Sequence, residues 1–381
     1  MSREFTHLHV HTQYSLLDGA SKPAELLAYA KSQGMDSIAI TDHGSMYGVI
    51  NFYQEARKQG IKPIIGCECY ITPGSRFDRN DDPRYHLILL AENNEGYQNL
   101  SRLVSTGFID GFYRKPRIDK DILRKYSKGI IALSACVQGE IPRMILQRNM
   151  AGARRALEEY VEIFGKDNFF LEMQNHGLPE EALVNRELRV LSRETGVKLV
   201  VTNDLHYVKK EDAKAQDVLL CIQTNKTVDD PNRMRFNSDD YYCKNYEEML
   251  ALFPDDEEAL HNTHDIAERC NVDFTFGKLL LPQFPIPEEF GGDADAYVRS
   301  LCLEEIPLRY GRDLAACKDE AARKELEDAI SQRLDYELGI IKTMVYSCYF
   351  LIVWDFIHYC RSLKDAAGNP DPIPVGPGRG S

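Results

Sequence analysis

The stretch Thr6-His7-Leu8-His9-Val10-His11-Thr12 decides how the rest of the chain is read. Side chains alternate faces along a strand, so an extended backbone here projects His7, His9 and His11 together. Three imidazoles on one face need polar partners once buried, and a metal ion is a common one. A run of exposed or individually satisfied histidines is the plainer alternative. Residues further along the chain decide between the two.

Working outward, this run is the first of seven short apolar segments: Phe5–Thr12, Ser37–Asp42, Pro63–Ile71, Tyr85–Glu92, Gly129–Cys136, Asn168–Gln174 and Lys198–Asp204. Several are rich in Ile and Val and bounded by Gly, Pro or Asp, as buried parallel strands are. Between them Pro23–Gln33, Tyr47–Gln59 and Pro179–Thr195 carry apolar residues at helical spacing. Pro23 and Pro179 suit a first helical turn, and Gly34, Gly60 and Gly196 stand where helices stop. Strand–helix repetition predicts an α/β fold with a parallel sheet. Polar residues collect at many strand ends rather than at one crevice, which favours a barrel over an open sheet. The polar loop Thr72–Arg84 carries no helix signal, so that link is a hairpin or an unseen crossover.

Beyond Val208 the texture changes to short helical segments, including Tyr246–Leu252 and Glu257–Cys270. An extended linker follows, Leu279-Leu280-Leu281-Pro282-Gln283-Phe284-Pro285 with Pro287. Helical patterning then resumes over Ala294–Tyr310 and Lys318–Lys364, and a Gly-rich loop ends the sequence at Ser381, which reads as a truncation. The domain expectation is 1–275 and 276–381. The longest apolar run, Met344 to Ile357, contains Ser347 and Asp355, is too short for a bilayer, and is expected as a buried helix.

Composition narrows the function. A net charge of −13 from 46 basic and 59 acidic residues argues against a dedicated nucleic-acid clamp, though not against a local site that meets nucleic acid. Ten scattered cysteines without a CxxC pair suggest reduced thiols and a cytoplasmic setting.

The strand ends supply the chemistry. In order they give His9 and His11, then Asp18 in the turn beyond, His43, Glu68, His86, Cys136, Asp204 and His206. In a parallel barrel the carboxyl ends of the strands converge on one mouth. His86 opens its run, so it reaches that mouth only if its strand is antiparallel to the one before. Five imidazoles, three carboxylates and a thiol exceed what one tetrahedral ion needs, and suit two or three ions. Mixed N, O and S donors fit zinc, manganese or iron better than calcium or magnesium. Clustered divalent ions generate hydroxide at neutral pH and stabilise both oxygens of an in-line displacement at phosphorus, so phosphoester hydrolysis is the first reaction class. Each residue also has an ordinary role: Asp42 and Asp204 as caps, Cys136 as an inert thiol, Glu68 in an ion pair, His86 bonded to backbone. Glu172 and His176 follow the sixth run and His7 lies further back on the first; these are weaker candidates. His261 and His264 share a helix face, and Arg143, Arg148, Arg154 and Arg155 form a basic stretch; both read as solvated surface. His358 suggests nothing specific.

These residues resemble the polymerase-and-histidinol-phosphatase (PHP) family of metal-dependent phosphoesterases. The carrying motifs are His9-Val10-His11 with Asp18, Thr41-Asp42-His43, Glu68, His86, Cys136 and Asp204-Leu205-His206. Gly96-Tyr97-Gln98-Asn99-Leu100, Leu281-Pro282-Gln283-Phe284-Pro285, Tyr349-Phe350-Leu351-Ile352 and Pro374-Val375-Gly376-Pro377-Gly378-Arg379-Gly380-Ser381 are similar to the alpha subunits of bacterial C-family replicative polymerases. The resemblance implies a distorted seven-unit β/α barrel followed by the start of a polymerase palm. It also implies a trinuclear metal site at the nine matched positions and 3′–5′ exonuclease activity where that set is intact. Arg379, Gly380 and Ser381 match the segment facing a nucleotide's triphosphate, while the paired polymerase aspartates are absent. The implied partners are DNA at the primer 3′ end, other replicase subunits and a separate proofreading exonuclease, with no membrane. Two alternatives stand beside the nuclease: a metal-braced docking module and a small-molecule phosphatase. Amidohydrolases also open with HxH, but their bridging lysine has no counterpart here.

Overall fold

In a computed structural model the described residues are 5–80, 82–278, 280–376 and 378. The chain divides into two compact units, Met1–Phe274 and Thr275–Ser381.

The first unit is built on eight strands: β1 Ser37–Ile40, β2 Lys62–Ile71, β3 Tyr85–Ala91, β4 Phe112–Tyr113, β5 Lys115–Ile118, β6 Ile130–Leu133, β7 Phe169–Met173 and β8 Leu199–Val201. β1 pairs with β2 in parallel, β3 is antiparallel to both β2 and β6, and β6, β7 and β8 are parallel. The loop before β3 is therefore a hairpin link, and no crossover helix is needed there. The small hairpin β4–β5 hangs from the end of β2, with Tyr70 opposite Arg117. It lies outside the expected repeat, because a two-residue strand beside a proline carries almost no periodicity.

The expected first strand is instead an extended segment with isolated bridges. His7 pairs with Ile38 and Val10 with Leu205. Backbone bonds run from Ala39 N–H to the His7 carbonyl on one side and from His11 N–H to the Leu205 carbonyl on the other. This segment thus joins β1 to the stretch after β8 and curls the sheet round on itself.

The strands alternate strictly. Ile64, Ile88, Leu90, Ile131, Leu133, Phe170 and Val200 form an inner apolar cluster with Leu8, Ala39 and Ile266. Their neighbours Cys67, Cys69, Leu87, Leu89, Ala132, Phe169 and Leu171 pack outward with the helices. Glu68 follows Ile64 by four positions and Glu172 follows Phe170 by two, while His86 precedes Ile88 by two; period-two alternation puts all three on the inner face. Because β3 runs backwards, its first residues lie at the end where β2 finishes.

The main helices of this unit keep their sequence logic. Pro23–Ser32 and Pro179–Thr195 start on proline, and Val49–Gln59 stops at Gly60 in the left-handed conformation.

The second unit contains the helices Ala294–Ala315, Glu320–Thr343 and Ser347–Ser362. The long helical pattern breaks at Met344–Tyr346, where Val345 adopts a φ of 59°. The expected buried helix is mostly exposed: of Ser347–Ser362 only Ser347 and Leu351 are buried. Its circumference is apolar nearly all round, and few helices are available within the unit to cover it. Among the described residues no single helix is long and apolar enough to cross a membrane. Arg379, Gly380 and Ser381, expected at a nucleotide phosphate, lie outside the described residues.

Candidate metal centre

Nine side chains meet at the mouth of the curled sheet. Glu68, carried by β2, is the hub: its Oε1 lies 2.7 Å from His86 Nδ1 and 3.4 Å from His9 Nε2. Its Oε2 lies 2.5 Å from His43 Nδ1 and 3.5 Å from His11 Nε2. Asp204 Oδ1 approaches His9 Nε2 at 3.0 Å and His11 Nε2 at 3.3 Å. Asp18 Oδ2 is 3.3 Å from His43 Nε2, and Cys136 Sγ is 3.7 Å from His86 Nδ1. Three groups have ligand atoms within 4.8 Å of one another: His11, His43 and His206; His9, His11 and Asp204; and Glu68, His86 and Cys136.

His7 does not join them. A bend at His9 breaks the alternation of the first segment, so Leu8 packs in the inner cluster. His7 is buried elsewhere, with Nε2 2.8 Å from the Lys244 carbonyl. His261 and His264 stay on a helix face, where His261 meets Asp265 at 3.6 Å. His358 stacks on Trp354 in the second unit. Arg143 bonds Gln138, two residues past Cys136, and Arg154 bonds Glu194.

The surrounding shell fixes which ring nitrogen is available. Glu172 accepts from His9 Nδ1 at 2.7 Å and is held in turn by Gln174 and Thr202. Ser15 Oγ takes His11 Nδ1 at 3.0 Å while donating to Asp42 at 2.6 Å. His206 Nδ1 bonds the Asp204 carbonyl at 2.6 Å. In all three rings Nδ1 is committed to the protein, which leaves Nε2 directed into the cage and able to bind a cation once deprotonated. Asp42 therefore braces the 12–15 turn, also accepting from Thr12 N–H at 2.7 Å, and does not face the cage. His176 is also a brace: Nδ1 bonds Glu181 at 2.7 Å and Nε2 bonds the Asn203 carbonyl at 3.0 Å, just before Asp204. Sequence reasoning missed Ser15, Thr12, Thr202, Gln174 and Glu181, since nothing in their spacing marks them as supports.

The geometry leaves a specific deficit. His9 Nε2, His11 Nε2, Asp18 Oδ1, His43 Nδ1, Glu68 Oε2 and Asp204 Oδ1 are all buried, and their close approaches to one another are ion-pair contacts without hydrogen-bond geometry. A buried polar atom whose hydrogen bond is not made costs about 1–3 kcal/mol, so six converging on one space favour a common partner. Burial works against charge on His9 and His43, but Asp204, Glu172 and Glu68 overcome it at His9, and Glu68 and Asp18 at His43, so both rings favour a proton that a bound cation would displace. Burial works against the charge on Glu68, but the imidazoles of His86, His43 and His9 outweigh it and hold its carboxyl well below the usual range. Asp204 is likewise held low, burial being overcome by His9 and His206. Burial, with Asp204 and Glu68 nearby, pushes the Cys136 thiol well up, so it becomes a thiolate only when a cation sits against it.

Backbone strain gathers here as well. Leu17, Ala135 and Asp204 take positive φ values of 64°, 62° and 42°, and each is a candidate ligand or its immediate neighbour. Such conformations cost about 1–3 kcal/mol each and cluster at functional sites.

Residues 7–176 match the PHP domain, and residues 296–381 match the bacterial DNA polymerase III alpha NTPase domain. The DNA polymerase III subunit alpha of Borreliella burgdorferi is 46% identical over 383 residues, covering 99% of this chain and 31% of its own length. That of Treponema pallidum is 44% identical over 381 residues, with the same coverages of 99% and 31%. Thus the chain spans about a third of the length of these relatives. An amidohydrolase from Chromobacterium violaceum, 15% identical, overlaps 53% of this chain and 87% of its own with a TM-score of 0.36, too loose to carry an argument. The motifs at the barrel mouth and the whole-chain identity agree: the chain belongs to the DNA polymerase III alpha-subunit family and carries its PHP domain.

Proposed function

We propose that the first unit hydrolyses phosphodiesters as a metal-dependent 3′–5′ exonuclease of proofreading type. Two or three divalent ions, zinc or manganese first and iron next, would be held by His9, His11, Asp18, His43, Glu68, His86, Cys136, Asp204 and His206. The observation that supports this is the convergence of buried ring nitrogens and carboxylate oxygens of His9, His11, His43, Asp18, Glu68 and Asp204 on one space, where their mutual contacts lack hydrogen-bond geometry. A donor set of imidazole, carboxylate and thiol fits those metals. When bound, such ions activate water at neutral pH and offset the charge that builds on the attacking and leaving oxygens.

The chain's own residues do the positioning. Glu172 and Ser15 fix the tautomers of His9 and His11. Glu68 spans between the rings of His43 and His86. Ile64, Ile88, Leu90 and Ile131 belong to one buried apolar cluster on the inner face of the sheet that carries Glu68 and His86. The surrounding protein, on this reading, is a cytoplasmic DNA polymerase. Residues 1–275 form the PHP domain and 276–381 begin the palm. Its partners are DNA at the primer 3′ end and other replicase subunits. The test is release of nucleotides from 3′-mismatched DNA with manganese or zinc present. Activity should vanish with chelator and fall more than about a hundredfold in His9→Ala. Purified chain that stays inert under every metal defeats the reading.

One observation favours a second reading, a metal-braced module that docks a separate proofreading exonuclease. The segments carrying His9, His11, Asp204 and His206 are joined to each other by few backbone bonds, so cations would tie them together. On that reading chelation lowers the melting temperature with no nuclease to lose. A small-molecule phosphatase would instead turn over mononucleotides faster than oligonucleotides.

A further inference from the structure

Beside the cage lies a surface that the metal chemistry does not use. Tyr47, Phe108, Ile109 and Phe112 are 60%, 37%, 81% and 51% exposed. The rings form a row: Tyr47 to Phe108 is 6.2 Å between centroids, and Phe108 stacks with Phe112 at 6.1 Å and 21°. Large exposed aromatics in a row are costly to leave in water and mark a binding surface. Cations adjoin this one. Arg114 and Lys115 follow Phe112 and are exposed, Arg114 lies over the ring of Tyr113 at 5.4 Å, and Lys115 Nζ lies 5.3 Å from the centre of Tyr70.

The row is fixed to the cage. Tyr70 on β2 pairs with Arg117 on β5, two residues beyond Glu68, and its ring lies 5.3 Å from that of His86. Pro116 is wedged between two glycines: a Cβ at Gly44 would fall 2.8 Å from its Cγ, and one at Gly107 would fall 3.4 Å from its Cβ. Gly44 has a φ of 58° and follows His43 directly, while Gly107 precedes Phe108. The hairpin, the end of the helix Asn94–Ile109 and a candidate ligand therefore form one packed block.

We propose that Tyr47, Phe108 and Phe112, with Arg114 and Lys115, form a stacking shelf for unpaired nucleotides of a DNA strand whose terminal phosphodiester enters the cage. This deepens the phosphodiesterase reading and rests on it for the strand's destination. Aromatic faces accept any base, and adjacent cations track the phosphates; that combination serves sequence-independent single-strand binding. The interleaved basic residues favour nucleic acid over a protein partner, for which a purely apolar row would serve better. They also supply a local positive surface on a chain whose net charge is −13.

The test uses the 381-residue chain and a 5′-fluorescein oligothymidylate, read by anisotropy in chelator and low salt so that cleavage cannot intervene. Phe108→Ala and Phe112→Ala should each weaken binding between about 5-fold and 150-fold. Lys115→Glu should weaken it and flatten its salt dependence. Circular dichroism verifies the fold of each variant, and Phe112→Ala and Lys115→Glu, at more exposed positions, carry the test if Phe108→Ala does not fold. Photo-cross-linking with 5-iodo-deoxyuridine should label the peptide that carries Phe108 and Phe112. Variants that keep wild-type affinity within about twofold overturn the shelf, as they would if a protein rather than DNA covers it. Wild-type binding that is lost in the variants, in a chain that never cleaves DNA, supports the shelf while defeating the nuclease.

Discussion

Leu89, Ile131 and Phe169 in the first unit are fully buried, whereas Leu308, Phe356 and Tyr336 in the second are 81%, 65% and 62% exposed. The second unit contributes only Val298 and Leu351 to the buried apolar side chains of the described residues. Both units are rich in apolar side chains, so composition does not separate them. Topology does. Each central strand of the first unit has an inner face over the apolar floor and an outer face under helices, so every second residue finds cover. The helices Ala294–Ala315, Glu320–Thr343 and Ser347–Ser362 have chiefly one another. Local pattern makes a helix, but only enough neighbouring surface makes a core.

Removing divalent ions should press hardest on this contrast. Each of the proposed sites, occupied at about a hundredfold its Kd, would stabilise by about 2.7 kcal/mol, and all of them lie in the first unit. Hydrogen exchange on chelated protein should quicken across 7–12 and 199–206 and leave 320–343 unchanged; an equal response in both units would dissolve the distinction. Next in size, Leu89→Ala should cost about 2–5 kcal/mol in denaturant unfolding. Leu308→Ala should stay within about 0.5 kcal/mol. A large loss at Leu308 would mean that the second unit has a core after all. Glu172→Gln keeps the shape but weakens the acceptor on His9, and should lower metal affinity about 10- to 100-fold by calorimetry with no change in the second unit. Smallest of all, Arg323→Ala breaks an exposed pair with Glu327 and should leave the denaturant-unfolding midpoint unchanged within error.

How much of this the sequence disclosed depended on the kind of signal. The segments around β1, β2, β3, β6, β7 and β8 were legible because both faces are buried and their apolar runs are dense. Pro179–Thr195 was legible to the residue, from its proline start and glycine stop. The hairpin Phe112–Ile118 was not, since Lys115-Pro116-Arg117 reads as loop and gains its strand from pairing with Phe112 and Tyr113 on one side and with Tyr70 and Ile71 on the other. The exposure of Ser347–Ser362 was illegible for another reason: hydropathy says that a helix wants cover, not that cover exists. At the mouth, the nine expected side chains meet because ligand-type residues at strand ends share a direction. His7 departs through a single bend at His9. Glu172 and His176 were visible only as weak candidates, and their separate tasks of orienting His9 and holding the Asn203 carbonyl follow from distances that no spacing encodes.

His11 belongs to two of the three candidate groups, yet Ser15 occupies its Nδ1 and leaves one lone pair. One lone pair cannot serve two cations. On the proposed metal reading, loading would be a contest: His11 would complete one set of donors and leave the neighbouring set a donor short. Successive equivalents of metal should bind with unequal affinity, and the weakest-held ion is the one a passing phosphate oxygen could most readily help to complete.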